Sequence, residues 1–199
     1  MSGNYQAIIQ DNVDALFRDT SRDLEKALGA TRNGDEILFR AFGSQCAITP
    51  LGISLDGQPL TGPSGVVVSL YALHSKDLPV KEYPFKAFKE MNDSMPYAGA
   101  FATHTEHILV PKVEAIRANM DAILERLDGN TGPDDLPGDF SMVVSPLPKI
   151  RLCYIFYLPD DDFPASVTCL FSNNAGDLMP TDGLADVGEY TSRTILNLL

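Results

Sequence analysis

The stretch Leu152-Cys153-Tyr154-Ile155-Phe156-Tyr157-Leu158, running through Pro159 into Asp160-Asp161-Asp162, decides where the core of this chain lies. In an extended strand Leu152, Tyr154, Phe156 and Leu158 share one face, and Cys153, Ile155 and Tyr157 share the other. Both faces are apolar, so the strand needs cover on both sides and belongs at the centre of a sheet. If Asp160–Pro164 is its turn, Ala165–Phe171 returns antiparallel. A turn centred near Asp161 then sets Cys153 opposite Cys169, within reach of disulfide geometry, although a cytoplasmic setting keeps both as thiols. The expected fold class is α+β, a central, largely antiparallel (mixed) sheet with helices packed on both faces. Residues 1–199 are expected to form a single domain, with an N-terminal helix over 1–29, a small antiparallel sheet over 36–55, and the central strands and C-terminal helix over 140–199.

Working outward from that strand, Phe140–Val144 and Lys149–Leu158 read as strands separated by a break from Pro146 to Pro148. Pro180-Thr181-Asp182 opens a last helix to Leu199 with Leu184, Val187, Thr191, Ile195 and Leu198 facing inward. Lys112–Asp128 carries the stripe Val113, Ile116, Met120, Ile123, Leu124 and Leu127, and Gly129 ends it. Asn4–Leu28 repeats its apolar residues at spacings of three and four and stops at Gly29. Between Glu36 and Leu55 the period falls to two, with a break at Gly43-Ser44 and a hairpin signal at Asp56-Gly57. Val66–His74 satisfies strand and helix patterns alike, and Ser64 as an N-cap favours helix. From Lys76 to Pro111 four prolines interrupt any period, leaving short helical turns near Phe85–Met91 and Tyr97–His107.

The 199 residues carry 15 Lys plus Arg against 27 Asp plus Glu, a formal net charge of −12. Phosphate neutralisation needs clustered cations, so nucleic acid is excluded as a partner, and an anionic membrane surface would repel the chain. The charge serves solubility, or else an acidic docking face for a basic protein partner. Cys46, Cys153 and Cys169 stand alone without a C-x-x-C pair, which excludes a zinc ribbon or a self-contained iron–sulfur site and reads as reduced core thiols. The opening MSGNYQAIIQDN has no basic and apolar leader pattern, and no apolar run approaches the length of a membrane span. The expected compartment is the cytoplasm.

Three constellations invite chemistry. Asp160-Asp161-Asp162 crowds carboxylates at the end of the most apolar strand, where Asp161 or Asp162 would serve as a metal ligand or general acid; the plainer reading is a solvated turn. Asp128–Asp139 imitates a calcium loop at positions one, three and seven (Asp128, Asn130, Asp134), but Pro133 replaces the turn glycine and Asp139 the bidentate glutamate. His104 and His107, three apart, would share a helix face and hold a metal if a third ligand such as His74 joined them; the plainer reading is two surface histidines in a polar segment. Tyr83, Phe88 and Tyr97, with Phe85 and Phe101, line either a small-molecule pocket or a lid over the core. No phosphate loop, dinucleotide motif or serine elbow is present, so no cofactor is called for.

Leu147-Pro148-Lys149-Ile150, the apolar strand, Asp160-Asp161-Asp162-Phe163-Pro164-Ala165, Leu170-Phe171 and Leu178-Met179-Pro180-Thr181-Asp182 follow one another over residues 140–199. That order resembles an uncharacterised prokaryotic family of about this chain's length, known only as a domain of unknown function and common in anaerobes. Leu70-Tyr71-Ala72-Leu73 and Phe85-Lys86-Ala87-Phe88 resemble it more loosely, and Ser172 stands where the family more often has an acidic residue. Some relatives are joined to iron–sulfur cluster modules, so the resemblance implies a setting in anaerobic redox or corrinoid metabolism. The resemblance, the acidic charge and the lack of catalytic motifs lead to a non-catalytic ligand-binding or accessory module with a protein partner or small-molecule ligand; the alternative, resting on Asp161 or Asp162 with His104, is a carboxylate-dependent enzyme, hydrolase-like, with or without a metal.

Overall fold

The computed structural model describes residues 2–199. Two antiparallel sheets and the helices around them share a cluster of buried side chains, so the α+β class is as expected. The first sheet is a meander of β1 (Thr31–Asn33), β2 (Glu36–Ala41), β3 (Ser44–Thr49), β4 (Gly52–Leu55) and β5 (Gln58–Pro59). Its buried face carries Ile37, Phe39, Ala41, Cys46, Ile48 and Ile53, the alternation read from the sequence. The expected break at Gly43-Ser44 is instead a two-residue hairpin loop, Phe42-Gly43, with φ of 51° and 77°. Two successive positive φ values give the twist that joins neighbouring antiparallel strands.

The second sheet has the order β6 (Lys86–Ala87), β10 (Ser166–Phe171), β9 (Ile150–Tyr157), β8 (Phe140–Leu147), β7 (Asn130–Thr131), and every pair in it is antiparallel. The apolar strand β9 is central, and Leu152 to Phe156 are all buried. Its two faces are covered differently. Leu152, Tyr154 and Phe156 join the main core, whereas Cys153 and Ile155 form a small cluster with Val143, closed by Phe85 and Leu136 from connecting segments rather than by a helical layer.

The turn centre lies half a residue further along than expected. Cys153 opposes Leu170 and Cys169 opposes Tyr154, so the two cysteines sit on opposite faces and all three thiols are free and buried. A one-residue change of register reverses every facing relation, because side chains alternate with a period of two. The proline break before β9 is shortened to the turn Pro148-Lys149: β8 continues through Pro146 to Leu147 by way of a bulge, and the Pro146 carbonyl accepts the Phe42 N–H at 2.7 Å. Proline has no N–H to contribute to a ladder, and a bulge accommodates it while its carbonyl ties the two sheets together.

The helices show where apolar stripes overrun local breaks. The stripe of the N-terminal segment spans α1 (Ser2–Arg18) and α2 (Leu24–Leu28). Between them Asp19 Oδ1 accepts the Ser21 N–H and hydroxyl, Asp23 caps α2, and Gly29 ends it in the left-handed region. Arg22, freed by this break, donates to the Leu73 and Ser75 carbonyls at the end of α3 (Pro63–His74). A cation there meets the negative end of the helix dipole. The N-cap of α3 is Gly62, not Ser64, with Pro63 in the first turn.

The Lys112–Asp128 helix is likewise divided into α5 (Val113–Ala118) and α6 (Met120–Arg126) at Asn119, whose side-chain amide donates to the Ala115 carbonyl. Such back-bonding bends a helix. The left-handed residue at its end is Asp128, with φ of 49°, rather than Gly129. The remaining α-helices are α4 (Ala98–Phe101), continued by a π-helical turn over Ala102–His107, then α7 (Ala175–Leu178) and α8 (Thr181–Asn197), with short 3-10 turns at Phe88–Glu90 and Val110–Lys112. Among the described residues no helix is long and apolar enough to cross a membrane.

Candidate functional site

The π turn over Ala102–His107 is wedged between β10 and α8, and the clefts on its two sides hold most of the candidate chemistry. Wide turns of this kind recur at functional sites. Its position follows from three contacts. Phe101 stacks on Phe88 with ring centroids 4.4 Å apart, and both rings abut Phe171 of β10. Tyr154 of β9 bonds Ser192 of α8 at 3.0 Å, and Ser192 donates onward to the Thr105 carbonyl at 2.7 Å. The Ser192 proton is committed to that carbonyl, so Tyr154 donates to Ser192. Gly188 supplies the close approach: a Cβ there would lie 2.6 Å from Phe101 Cε2 and 2.9 Å from Thr105 Oγ1.

Glu106 is the polar centre of the first cleft. β6 pairs with β10 only at Leu170 and Phe171, so the Cys169 N–H beyond it needs another acceptor and finds Glu106 Oε1 at 2.9 Å. Burial lifts the Glu106 pKa above the ordinary glutamate value, opposed by that N–H and by the His107 and Lys89 charges. The cleft, of about 330 Å³, is walled by Phe88, Phe101, Thr168 and Cys169 with Lys89 at its rim. Cys169 is no nucleophile, because burial and the nearby Glu106 carboxylate push its thiol well above the usual range. Without thiolate character a cysteine is inert.

The second cleft, of about 150 Å³, separates the same segment from α8 and is lined by Tyr97, His104, Thr105, Asp182, Asp186 and Glu189. Thr105 is fully buried, and its hydroxyl has no hydrogen-bond partner. A wider hollow of about 530 Å³ lies elsewhere, between the β2–β3 hairpin and the end of α8, with Phe42, Arg126 and Tyr190 in its wall.

The structure sorts the residues singled out by sequence. Phe88 is buried in the first cleft's wall, and Tyr97 and His104 border the second. His107 is exposed and lines neither cleft. Tyr83 is 49% exposed and packs against Phe85, away from both clefts. Asp161 and Asp162 are exposed at the β9–β10 turn, where Asp160 Oδ1 accepts the N–H groups of Asp162 and Phe163. This turn builds a hairpin tip, and neither carboxylate lines any cleft described above.

The loop resembling a calcium site is dispersed: Asp128 pairs with Arg40 at 2.6 Å, Asn130 lies in β7, and Asp139 accepts the Leu158 N–H. No three His, Cys, Asp or Glu side chains among the described residues converge as metal ligands. The cysteines do not fit an iron–sulfur cluster either, since Cys46 lies in the first sheet and Cys153 and Cys169 face opposite sides of the second. Sequence reasoning missed Glu106 as a separate group and the acidic row of α8. The spacing of Asp182, Asp186 and Glu189, at four and three residues, was the readable sign of that row.

A family model described as a domain of unknown function (DUF3786) matches residues 21–194. No curated protein and no solved structure matches the chain.

Proposed function

The chain belongs to the DUF3786 family of domains of unknown function, and on that premise we propose that it is a non-catalytic ligand-binding or accessory module of the cytoplasm. Its ligand is a small, largely apolar molecule ending in a hydrogen-bond donor, seated in the cleft beside Glu106. One observation carries this reading: a largely buried carboxylate, with one oxygen spent on a strand N–H, stands in an otherwise apolar cleft walled by stacked phenylalanines. Ligand sites commonly combine an apolar wall with a few placed polar groups. Its second oxygen remains to orient a ligand N–H, and no activated nucleophile stands beside it.

The prokaryotic, anaerobic setting implied by the residue order over 140–199 belongs to the same proposal. There the module serves a redox or corrinoid system through a partner or a small ligand. A cleft of about 330 Å³ suits a metabolite and not a corrin macrocycle. The dispersal of Asp161, Asp162 and the histidines gives the enzyme reading no shared pocket in which to work.

Titration of the full chain with benzamide and with toluene, followed by two-dimensional NMR, tests the reading. Benzamide is expected to perturb Phe88, Phe101, Glu106 and Cys169. Glu106→Gln is expected to weaken it about tenfold, the cost of a lost charge-assisted bond, with toluene unaffected. Benzamide shifts confined to other regions would overturn the site. Hydrolysis of ester or phosphoester substrates that falls in Asp161→Asn/Asp162→Asn would instead establish the enzyme.

A further inference from the structure

We propose that the hollow between the β2–β3 hairpin and the end of α8 binds a small aryl-substituted carboxylate. Phe42, Leu55, Tyr190 and Leu198 give it an apolar wall, and Arg126 places a cation beside them. Its volume of about 530 Å³ lies within the usual span of small-molecule sites, roughly 300–1,000 Å³. The Phe42 and Tyr190 rings stand 6.0 Å apart at their centroids, tilted by 56°, and rings group through tilted or offset contacts of this kind. The Phe42 ring is placed there against local preference. With φ of 51° the first loop residue of a hairpin ordinarily is Asn, Asp or Gly, because a bulky side chain is strained in that region.

Two arginines meet at this junction, and only one is committed to the protein. Arg40 Nε lies 2.6 Å from Asp128 Oδ2, and its Nη2 donates to the Gly43 and Arg126 carbonyls. Arg126 Nη2 donates to Ser44 Oγ at 3.0 Å in the wall of the hollow, and no acceptor among the described residues meets Nε or Nη1. Asp56 Oδ2 stands 4.0 Å away, outside hydrogen-bond reach, and Asp56 Oδ1 accepts the Gln45 N–H at 2.8 Å. Gly43 fixes where the cation lies: a Cβ on it would sit 2.9 Å from Arg126 Nε, so the arginine stem crosses the hairpin over a glycine.

These features select the ligand. With one Nη2 hydrogen on Ser44, the guanidinium keeps a forked edge that matches a carboxylate through two parallel bonds. A phosphate matches it less well, since one cation with Asp56 close by does not balance two charges, and a chain of net charge −12 repels a polyanion. A monoanion with an aromatic body answers both the cation and the ring pair.

The test is a titration of the full chain with 3-phenylpropionate at low ionic strength, followed by NMR and calorimetry. Saturable one-to-one binding is expected, with the largest shifts at Phe42, Leu55, Arg126 and Tyr190, and with affinity falling as salt is added. Arg126→Gln is expected to weaken it about tenfold, on the scale of a lost charge-assisted bond, and Arg126→Lys to keep part of the affinity. The control Arg18→Gln removes the same charge from the exposed end of α1 and is expected to leave affinity unchanged. Leu198→Ala thins the apolar wall and is expected to weaken binding severalfold, which reads the site without touching the arginine. Unfolding midpoints measured alongside confirm that each variant is folded.

Four results would each overturn the proposal. These are absence of saturation, equal losses in Arg126→Gln and Arg18→Gln, equal binding of the uncharged 3-phenylpropanamide, and full affinity in a folded Leu198→Ala chain. Inorganic phosphate binding more tightly than the aryl acid would overturn the carboxylate assignment. The Glu106 carboxylate repels an anion, so this probe and benzamide report on separate sites, and failure of either proposal leaves the other standing.

Discussion

Gly43 shows how one residue fixes a junction. It follows Phe42 in the left-handed region, and a Cβ on it would lie 2.6 Å from the Arg126 carbonyl oxygen. Gly43→Ala combines an unfavourable φ with that clash, so chemical denaturation is expected to show a loss of about 1–3 kcal/mol. A stability change within about 0.5 kcal/mol, the range of neutral surface substitutions, would refute the geometry.

Glu106 makes a different kind of statement. Its folded pKa is raised above the ordinary value of 4.5, so the native state holds the proton more tightly than the unfolded state does. The stabilisation linked to that proton is complete below about 4.5 and is lost as pH rises through the folded pKa. Glu106→Gln removes this dependence. Urea titrations from pH 4 upward, a range set by the ordinary carboxylate value, are therefore expected to show the variant gaining on the wild type as pH rises, then a plateau. A constant difference across that range would contradict the burial.

At the scale of elements, the contact between the π turn and α8 is the arrangement on which both clefts depend. Gly188 permits it, and Thr105, Ser192 and Tyr154 lock it through consecutive hydrogen bonds. Gly188→Ala would drive a methyl into the edge of Phe101. Overpacking of this kind costs about 1–3 kcal/mol, and the expected companion is altered shifts in both Phe88 and Tyr97, one from each cleft. A destabilised variant with only one cleft perturbed would show that the clefts do not share this wall. The helix α8 stays continuous for its whole length while α1 and α5–α6 belong to stripes that break. Asp19 and Asn119 offer their neighbours local side-chain bonds that compete with the helix, whereas the buried Thr191 hydroxyl of α8 donates to the Val187 carbonyl without breaking it.

For the whole molecule, the three thiols form a probe of cooperativity. Cys46, Cys153 and Cys169 lie in two sheets and on three different surfaces, yet all are buried; burial lifts Cys46 and Cys153 to about 12. Reaction with a thiol reagent is expected to be negligible in the native protein and to rise for all three in step with loss of secondary structure. Early labelling of Cys153 alone would show that the loop-covered face of the second sheet opens independently of the main core.

Much of this architecture was legible in residues alone, because alternation and helical period are local properties. The doubly apolar run around Tyr154 placed β9 at the centre of its sheet, the period-two stretch from Glu36 announced a meander, and the inward stripe of the last segment announced α8. Tertiary structure decided what those periods cannot encode. The length of the Asp160–Pro164 turn set the register that parted Cys153 from Cys169, and a bulge carried β8 past Pro146. Chain segments far apart in sequence brought Glu106 to the orphan N–H of Cys169 and Thr105 to Gly188. Periodicity says which way a side chain points relative to its own neighbours; only the packed fold says what it points at, since a shift of one residue reverses the face without changing the pattern.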